Sequence, residues 1–206
     1  MDKTCYIVGA AEFSRSFTPA EGDLVIAADG GYDRLLSLGI APDILIGDFD
    51  SISSSIPEGI ETLRFKREKN ETDMHLAFLE GYERGYRRFL FYGGCGGRED
   101  HTLANYQLLL YARRQGAFAG LISDSGVTFV IENEGITLKR AEFCGISVFA
   151  FGKEARNVNL SGLKYNAEAI NLSVDFPLGV SNSFAEEEAH ISVEDGALLI
   201  IERYDS

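Results

Sequence analysis

Apolar runs and helical patterns alternate through the first half of the chain. Four short runs of mostly apolar residues have the pattern of strands buried in a sheet. They cover 5–8, 24–28, 43–46 and 88–92. Between them, apolar side chains recur at helical spacing, which predicts helices over 31–38, 72–84 and 101–115. This alternation predicts an α/β domain with a mostly parallel sheet.

The pattern changes beyond about residue 125. Short strand-like runs follow one another there, separated by Gly, Asn or Asp, and none has the spacing of a helix. They cover 127–130, 136–139, 146–151, 169–174, 190–193 and 198–202. The chain is therefore predicted to have two domains. These are an α/β domain over residues 1–125 and an all-β domain over 126–206, built as a sandwich or a partly closed barrel.

Composition and charge narrow the class of protein. The 206 residues are 45% hydrophobic, enough for a globular core, and carry a formal net charge of -13. That charge disfavours a nucleic-acid backbone or an anionic membrane as partner. We see no signal peptide, no apolar segment of membrane-spanning length and no cysteine spacing typical of disulfides or zinc. We therefore expect a cytoplasmic protein, which could still bind a phosphate compound through a divalent cation.

Five aspartates fall either just after a predicted strand or at the start of a predicted helix. They are Asp29, Asp48, Asp50, Asp73 and Asp100. In a parallel sheet both positions lie at the edge formed by the carboxyl ends of the strands, where ligands bind. Converging carboxylates repel one another unless a cation holds them, and hard oxygen ligands suit Mg²⁺. The sequence therefore predicts a magnesium site at this edge.

A glycine run occupies residues 93–97, between a predicted strand and a predicted helix. Backbone N–H groups in such loops often hold phosphates, although this run matches neither the Walker A pattern nor the dinucleotide-binding pattern. Arg98 directly after the run could make a bidentate phosphate contact, and Lys69 could supply a second positive charge.

Several of these residues also have a purely structural interpretation. Asp73 or Thr72 suits the N-cap or the first turn of a helix, and Asp100 suits an N-cap. Asp29 suits an ordinary turn before two glycines. His101 and Asn105 are one turn apart and suit a hydrogen-bonded pair on one helix face. The sequence pattern alone leaves both interpretations open.

Four motifs follow one another through the first 115 residues. They are Ala28-Asp-Gly-Gly31, Pro42-Asp43 with Gly47-Asp-Phe-Asp-Ser51, Lys69-Asn-Glu-Thr-Asp73, and Gly93-Gly-Cys-Gly-Gly-Arg-Glu-Asp-His101 with Asn105. In order and spacing they closely resemble the thiamine pyrophosphokinase (thiamine diphosphokinase) family. A weaker similarity continues into Gly162-Leu-Lys-Tyr165 and Val180-Ser-Asn-Ser183.

The resemblance implies an enzyme that transfers the pyrophosphoryl group of ATP to the hydroxyl of thiamine, giving thiamine diphosphate and AMP. It implies a homodimer with sites at the subunit boundary. Each subunit would combine an α/β catalytic domain that binds ATP and Mg²⁺ with a β-sandwich domain that binds thiamine.

The resemblance also assigns roles to residues at matching motif positions. The implied metal ligands are Asp48, Asp50 and Asp73. The implied catalytic residues are Asp50, Asp73, Asp100 and Arg98. Our own mechanistic hypothesis is that Asp100 or Asp73 accepts the hydroxyl proton. The implied contacts to ATP and its phosphates are Asp29, Lys69, Gly94, Gly96, Gly97, Arg98, His101 and Asn105. The implied thiamine contacts are Tyr165, Ser181 and Asn182.

Three positions depart from the family pattern. Tyr165 stands where tryptophan is usual, Asn70 where aspartate is common, and Glu99 where an aliphatic residue is usual. Tyr165 keeps an aromatic face for stacking. Two other functions also suit an acidic cluster beside a glycine loop: a protein that binds Mg²⁺-nucleotide as a sensor, and a metal-dependent phosphohydrolase that needs no acceptor alcohol.

Overall fold

The computed structural model describes residues 3–66, 68 and 70–204, and it divides the chain into two units, residues 1–124 and 125–206. In the described part of the chain, helices occur only in the first unit. None of the described helices combines the length and the apolar character needed to cross a membrane. Each unit is described separately below.

The first unit contains a parallel sheet with helices between its strands. The strands are β1 Thr4–Val8, β2 Leu24–Ala28, β3 Ile44–Gly47, β4 Glu61–Arg64, β5 Arg88–Tyr92 and β6 Phe118–Ser123. The helices are α1 Gly31–Ser37, α2 Asp73–Glu83 and α3 Glu99–Arg114. All the strands run parallel, in the order β6-β5-β1-β2-β3-β4. The predicted α/β domain with a mostly parallel sheet is confirmed.

The core of this unit lies between the central strands and the helices packed on them. Every residue of β2 and β3 is buried, as expected for strands covered on both faces. Phe78 of α2 is fully buried against Phe89 of β5, with ring centroids 4.7 Å apart. Tyr32 and Leu35 of α1 are also fully buried. These buried side chains hold α1 and α2 against the sheet.

The order of the strands reverses direction at β1. From β1 the sheet grows through β2 to β4 on one side and through β5 and β6 on the other. The loops that follow β1 and β5 meet at this point, where Gly9 N donates to Tyr92 O at 2.8 Å and Ala11 N donates to Gly93 O at 3.1 Å. A reversal of this kind leaves a crevice at the carboxyl ends of the strands, the usual ligand position in such sheets.

The second unit is built from strands that pair antiparallel. They are β7 Gly126–Glu132, β8 Gly135–Lys139, β9 Phe143–Ser161, β10 Ala167–Leu172, β11 Asn182–Ser183 and β12 Glu188–Tyr204. Strands β9 and β12 pair along most of their length. The end of β12 pairs on its other side with β7, and its beginning pairs with β8. The predicted strand-rich C-terminal region is confirmed.

Several element predictions were wrong in detail. Strand β4 was not predicted because three of its four residues are exposed, so it lacks an apolar pattern. Strand β6 was also missed. The predicted strands 190–193 and 198–202 are one continuous strand, β12, because Gly196 is not a strand end. It has a φ of +115° at a register shift in the pairing with β9, so the strand continues through the irregularity.

Candidate active site

The end of β3 brings two loops against each other. Asp29, directly after β2, donates its backbone N–H to Ile46 O at 2.7 Å. Gly47 has a φ of +153°, and a Cβ at this position would lie only 3.0 Å from Asp29 Cβ. Glycine is therefore required at 47 both for its conformation and for the close approach of Asp29. The two carboxylates that follow Gly47 begin beside the Asp29 carboxylate.

Among the described residues, Asp29, Asp48 and Asp50 form a carboxylate cluster. One oxygen from each can be chosen so that all three lie within 4.8 Å of one another. Asp29 and Asp48 are half-buried and Asp50 is exposed. Oδ1 of Asp29 is buried and has no hydrogen-bond partner in the described part of the chain. A buried charged oxygen without a partner is costly, and a bound cation would satisfy it.

The loop after β3 is held by its own polar groups and by β4. Asp50 N donates to Asp48 Oδ1 at 3.2 Å, which closes a tight turn around Phe49. Phe49 has a φ of +68°, an uncommon conformation for an aromatic residue. Arg64 donates to Asp48 O from Nε at 3.3 Å and from Nη2 at 3.1 Å, and its guanidinium lies 5.3 Å from the Phe49 ring centroid. These contacts fix the turn that carries both carboxylates.

A cavity of about 350 Å³ lies in the crevice where the strand order reverses. Two of the predicted aspartates, Asp29 and Asp73, line it. The predicted phosphate-binding residues that line it are Gly94, Gly97, Arg98, His101 and Asn105. The cavity therefore brings together residues from four separate motifs.

Other predicted residues lie outside the lining of this cavity. These are Asp48, Asp50, Gly96 and Asp100. Asp48 and Asp50 still adjoin it, because they share the carboxylate cluster with Asp29. Asp73 lines the cavity but is not a member of that cluster. Lys69 falls outside the described residues.

The glycine loop is held by a buried amide. Asn105 of α3 is only 3% exposed, and its Nδ2 donates to Gly94 O at 2.7 Å. The Asn105 amide therefore contacts the glycine loop and not His101, so the predicted pairing of the two side chains was wrong. A Cβ on Gly94 would come within 3.0 Å of Asn105 Nδ2, which leaves room only for glycine. The loop is thus fixed from behind by α3.

The helix starts distinguish capping residues from candidate functional ones. Thr72 is the N-cap of α2, and its hydroxyl accepts from His75 N at 3.2 Å. Arg98 occupies the N-cap position of α3. Thr72 as N-cap and Asp73 as a first-turn acid agree with the structural interpretation of these two residues. Asp100 lies in the first turn of α3, so its interpretation as an N-cap was wrong.

Arg98 and Asp100 form a bidentate ion pair. Arg98 Nη2 lies 2.5 Å from Asp100 Oδ2, and Arg98 Nε lies 3.1 Å from Asp100 Oδ1. The guanidinium lowers the pKa of Asp100, and His101 N, donating to the same carboxylate at 3.0 Å, acts in the same direction. The carboxylate in turn raises the pKa of Arg98. Asp100 is consequently a weaker base than an isolated aspartate.

In the second unit, Asn182 joins the two weaker motifs. Its side chain is 7% exposed, accepts from Tyr165 N at 3.0 Å and donates to Tyr165 O at 2.7 Å. Ser183 N also donates to Asn182 Oδ1 at 2.9 Å. Ser181 has a φ of +60°, and its N–H donates to Ser147 Oγ at 3.1 Å. Tyr165 itself is 62% exposed at the surface of this unit.

Sequence reasoning missed several residues that line the cavity. They are Gly9, Ala10, Ala11, Ser51, Thr72, Met74 and Thr102. The first three follow β1 directly, and small residues after a buried strand were an available signal. Gly9, Ala10 and Ala11 line the cavity because the strand order reverses beside β1. That reversal is known only from the pairing of β1 with both β2 and β5.

Two family models together match most of the chain. The model described as "Thiamin pyrophosphokinase, catalytic domain" matches residues 19–118, and the one described as "Thiamin pyrophosphokinase, vitamin B1 binding domain" matches residues 134–198. The chain belongs to the thiamine pyrophosphokinase family. This confirms the family and the activity predicted from the motifs, the formation of thiamine diphosphate from thiamine and ATP.

Curated members of the thiamine pyrophosphokinase family match over most of their length. The chain is 28% identical over 191 residues to "Thiamine pyrophosphokinase" of Bacillus subtilis (strain 168), covering 90% of this chain and 89% of that protein. It is 24% identical to "Thiamine pyrophosphokinase 1" of Oryza sativa subsp. japonica, covering 86% of this chain and 78% of that protein.

Solved structures of the family share this fold. The crystal structure of thiamine pyrophosphokinase from Bacillus subtilis matches with a TM-score of 0.91 at 25% identity, over 99% of this chain and 100% of that one. The enzyme from Geobacillus thermodenitrificans matches with a TM-score of 0.84 at 25% identity, over 98% of each chain. The yeast enzyme, at 17% identity and a TM-score of 0.74, over 98% of this chain and 87% of that one, shows that the fold extends to distant members.

Proposed function

We propose that Asp29, Asp48 and Asp50 hold the Mg²⁺ ion used in pyrophosphoryl transfer from ATP to thiamine. The observation that carries this proposal is the buried Oδ1 of Asp29, which lacks a partner among the described residues and lies inside a cluster of carboxylates. When bound, Mg²⁺ would neutralise the charge of the ATP phosphates. An all-carboxylate set of hard oxygen ligands suits this ion.

We assign Asp73 to the substrate side of the site. It was predicted as a metal ligand, but it lies outside the three-carboxylate cluster and lines the cavity that Asp29 also lines. Of the two candidates for the proton acceptor, Asp100 is paired with Arg98 and lies outside the cavity lining. We therefore propose that Asp73 accepts the proton of the thiamine hydroxyl.

The glycine loop and the start of α3 are proposed to hold the ATP phosphates. Backbone N–H groups at a helix start bind anions, and the guanidinium of Arg98 offers a bidentate contact. Gly94, Gly97, Arg98 and His101 all line the cavity, which supports this assignment. Gly96 and Lys69 are retained as phosphate contacts on the strength of the family motifs alone.

We propose that the all-β domain, residues 126–206, binds thiamine and that the α/β domain, residues 1–125, binds ATP. The exposed side chain of Tyr165 offers a face for stacking on a thiamine ring. Ser181 directly precedes Asn182 in sequence and is retained as a thiamine contact on the strength of the family motif. All the side-chain contacts of Asn182 described above go to backbone atoms, so we propose that it positions Tyr165. Each contact lies within the second unit.

We further propose that the chain acts as a homodimer in the cytoplasm, with its sites at the subunit boundary. The support for this is the family resemblance, together with three cysteines that are all free, as expected in a reducing compartment. Sedimentation equilibrium at several concentrations measures the oligomeric state directly. A monomer at all concentrations, still active, would contradict the dimer.

The activity is tested by incubating the protein with ATP, Mg²⁺ and thiamine and separating the adenine nucleotides. We expect AMP and thiamine diphosphate in equal amounts, and no turnover in excess EDTA. ADP as the product would exclude pyrophosphoryl transfer. Binding of ATP without turnover would indicate a nucleotide sensor, and phosphate release without thiamine would indicate a phosphohydrolase.

A further inference from the structure

The loop that carries Asp48 and Asp50 is anchored by the first turn of α1. Asp33 accepts from Ser53 N through Oδ2 at 2.8 Å and from Ser54 N through Oδ1 at 3.1 Å. Both oxygens of one carboxylate are therefore used to hold consecutive backbone N–H groups. These bonds lower the pKa of Asp33, so the ionised form, which is the better acceptor, is favoured.

The neighbouring residue of α1 holds the same loop one position further on. Tyr32 is fully buried, and its hydroxyl donates to Ser55 O at 3.2 Å. Two adjacent residues of α1 thus bind three consecutive residues of the loop, 53–55. A buried tyrosine fixes this contact, because its ring cannot move without disturbing the core.

The same turn of α1 is also tied to Asp29. The backbone N–H of Tyr32 donates to Asp29 O at 3.1 Å. Asp29 and Asp48, the first residue after β3, are 19 residues apart in sequence. Asp29 is bonded to position 32, and the loop after β3 is bonded to positions 32 and 33. This short helix turn therefore fixes the separation between the Asp29 carboxylate and the loop that carries Asp50.

The other side of the loop has a separate anchor. Arg64 donates twice to Asp48 O, so the position of Asp48 does not depend on α1 alone. Asp50 is exposed and lies on the side of the loop nearer residues 53–55 in sequence. Its side chain accepts from Ser51 Oγ at 3.2 Å, a contact within the loop itself. Asp50 lies three residues before Ser53, so the contacts at 53–55 hold the part of the loop that carries it.

We propose that Asp33 is a positioning residue that holds Asp50 at metal-binding distance from Asp29 by fixing the backbone N–H groups of Ser53 and Ser54. Asp33 would not contact the metal itself; it would act by holding the backbone of the loop that carries Asp50. The inference rests on the proposed metal site at Asp29, Asp48 and Asp50. Without Asp33, the metal must order the loop as it binds, and that entropy cost lowers its affinity.

The test compares Asp33→Asn with the matched variant Asp23→Asn. Asp23 has the same role elsewhere in the first unit, accepting from Thr4 N at 2.8 Å and Ala20 N at 2.9 Å. It precedes β2, whereas Asp29 follows this strand, so it lies at the opposite end. Mn²⁺ binding to the full chain without nucleotide, measured by electron paramagnetic resonance, reports the site independently of turnover.

We expect Asp33→Asn to weaken Mn²⁺ binding about tenfold, because asparagine keeps one acceptor and loses the other. Asp23→Asn should bind Mn²⁺ like the wild type, even if both variants lose similar thermal stability. Equal Mn²⁺ affinity in Asp33→Asn and the wild type would overturn the proposal. Equal weakening in both variants would also overturn it, because the effect would then be general destabilisation.

Two further variants keep the experiment decisive. Asp50→Asn tests the underlying metal site: if the wild type binds no Mn²⁺, or if Asp50→Asn binds it equally well, the proposed metal site is wrong. If Asp33→Asn does not fold, Asp33→Glu replaces it, since it keeps both acceptors but moves them by one methylene. Weakened Mn²⁺ binding by Asp33→Glu supports the positioning role, and wild-type affinity contradicts it.

Discussion

The carboxylate cluster of the first unit and the Asn182–Tyr165 contact of the second use polar groups in opposite ways. In the cluster, three negative side chains lie together and one buried oxygen of Asp29 has no partner among the described residues. In the second unit, the amide of Asn182 is used by backbone atoms and the Tyr165 ring is exposed. The first region is the one proposed to bind Mg²⁺, whereas the amide of Asn182 in the second is already bonded within the chain.

Positive φ values occur in both regions, since Ser181 beside Asn182 also has a φ of +60°. Asp29, which lies against Gly47 in space, and Phe49, two residues after Gly47, both have positive φ values, of 47° and 68°. Non-glycine residues in this region of conformational space are strained, and such strain persists only where surrounding contacts enforce it. The neighbours that enforce it here are Arg64 and the first turn of α1. Strain at a cluster of like charges agrees with a site that is stabilised by its ligand.

The largest effect is expected from Asp50→Asn, which removes a charge from the cluster. We expect turnover to fall by about two orders of magnitude or more, because charge neutralisation at the phosphates is the main catalytic requirement. The rate of AMP formation measures it, with circular dichroism as the test of folding. The control is Asp195→Asn, an exposed aspartate of the second unit paired with Lys153, which should retain normal turnover. Near-normal activity in Asp50→Asn would remove it from the metal site.

A smaller effect is expected from Asn182→Ala, which breaks the contact in the second unit. Tyr165 and Ser183 lose their shared partner, so we expect a loss of about 2 kcal/mol in the free energy of unfolding. The KM for thiamine should rise about tenfold, while the KM for ATP stays constant. Asn171→Ala, which removes one exposed contact to Asn157 N, is the matched control.

The double variant Asn182→Ala with Tyr165→Ala sharpens the comparison. If Asn182 acts by positioning Tyr165, the two changes share one effect on the KM for thiamine and are not additive. Additive effects would show instead that Asn182 contacts thiamine independently of the tyrosine ring.

The smallest effect is expected at a second buried carboxyl, in a different setting from Asp29. Glu202 of β12 is 7% exposed, and burial raises its pKa from 4.5 to about 7. The folded state therefore keeps a proton that the unfolded state loses, and stability falls as pH rises between about 4.5 and 7. Glu202→Gln should remove this fall. Its stability relative to the wild type should be about 2 kcal/mol greater at pH 8 than at pH 5.

Chemical denaturation at several pH values measures the effect of Glu202→Gln. The exposed Glu168→Gln is the control and should follow the wild type at every pH. A wild-type stability that does not change between pH 5 and pH 8 would show that the Glu202 carboxyl is hydrated in the folded state. In that case Glu202 of the second unit, like Asp29 of the first, would be a buried carboxyl that stays ionised.

The fold of the first unit was largely predictable from local patterns. Buried runs of four or five apolar residues identified the central strands, and their carboxyl ends predicted where Asp29 and Asp48 would meet. Strand β4 was not predictable in this way, because an edge strand with exposed side chains has no apolar period. The length of β12 was hidden for a related reason, since Gly196 resembles a turn residue in sequence but sits within a continuous strand.

The details of the site depend on contacts that sequence spacing does not encode. Asp29 and Asp73 belong to similar motifs, yet only Asp29 joins the cluster with Asp48 and Asp50. Asp33 was not singled out at all, because an aspartate in the first turn of a helix has a common structural explanation. Its contact with residues 53 and 54 arises only from the folding of the loop back onto α1. Such long-range backbone contacts leave no periodic signal.

The loops after β1 and β5 are in close contact at Gly9 and Gly93, and this contact limits how either loop can be redesigned. A Cβ on Gly93 would lie 2.3 Å from Gly9 O, and a Cβ on Gly9 would lie 2.7 Å from Gly93 O. The constraint is reciprocal, so neither loop can be redesigned alone. A loop transplanted from a relative to change nucleotide preference would have to be exchanged as a matched pair, with the segments after β1 and β5 taken from the same donor.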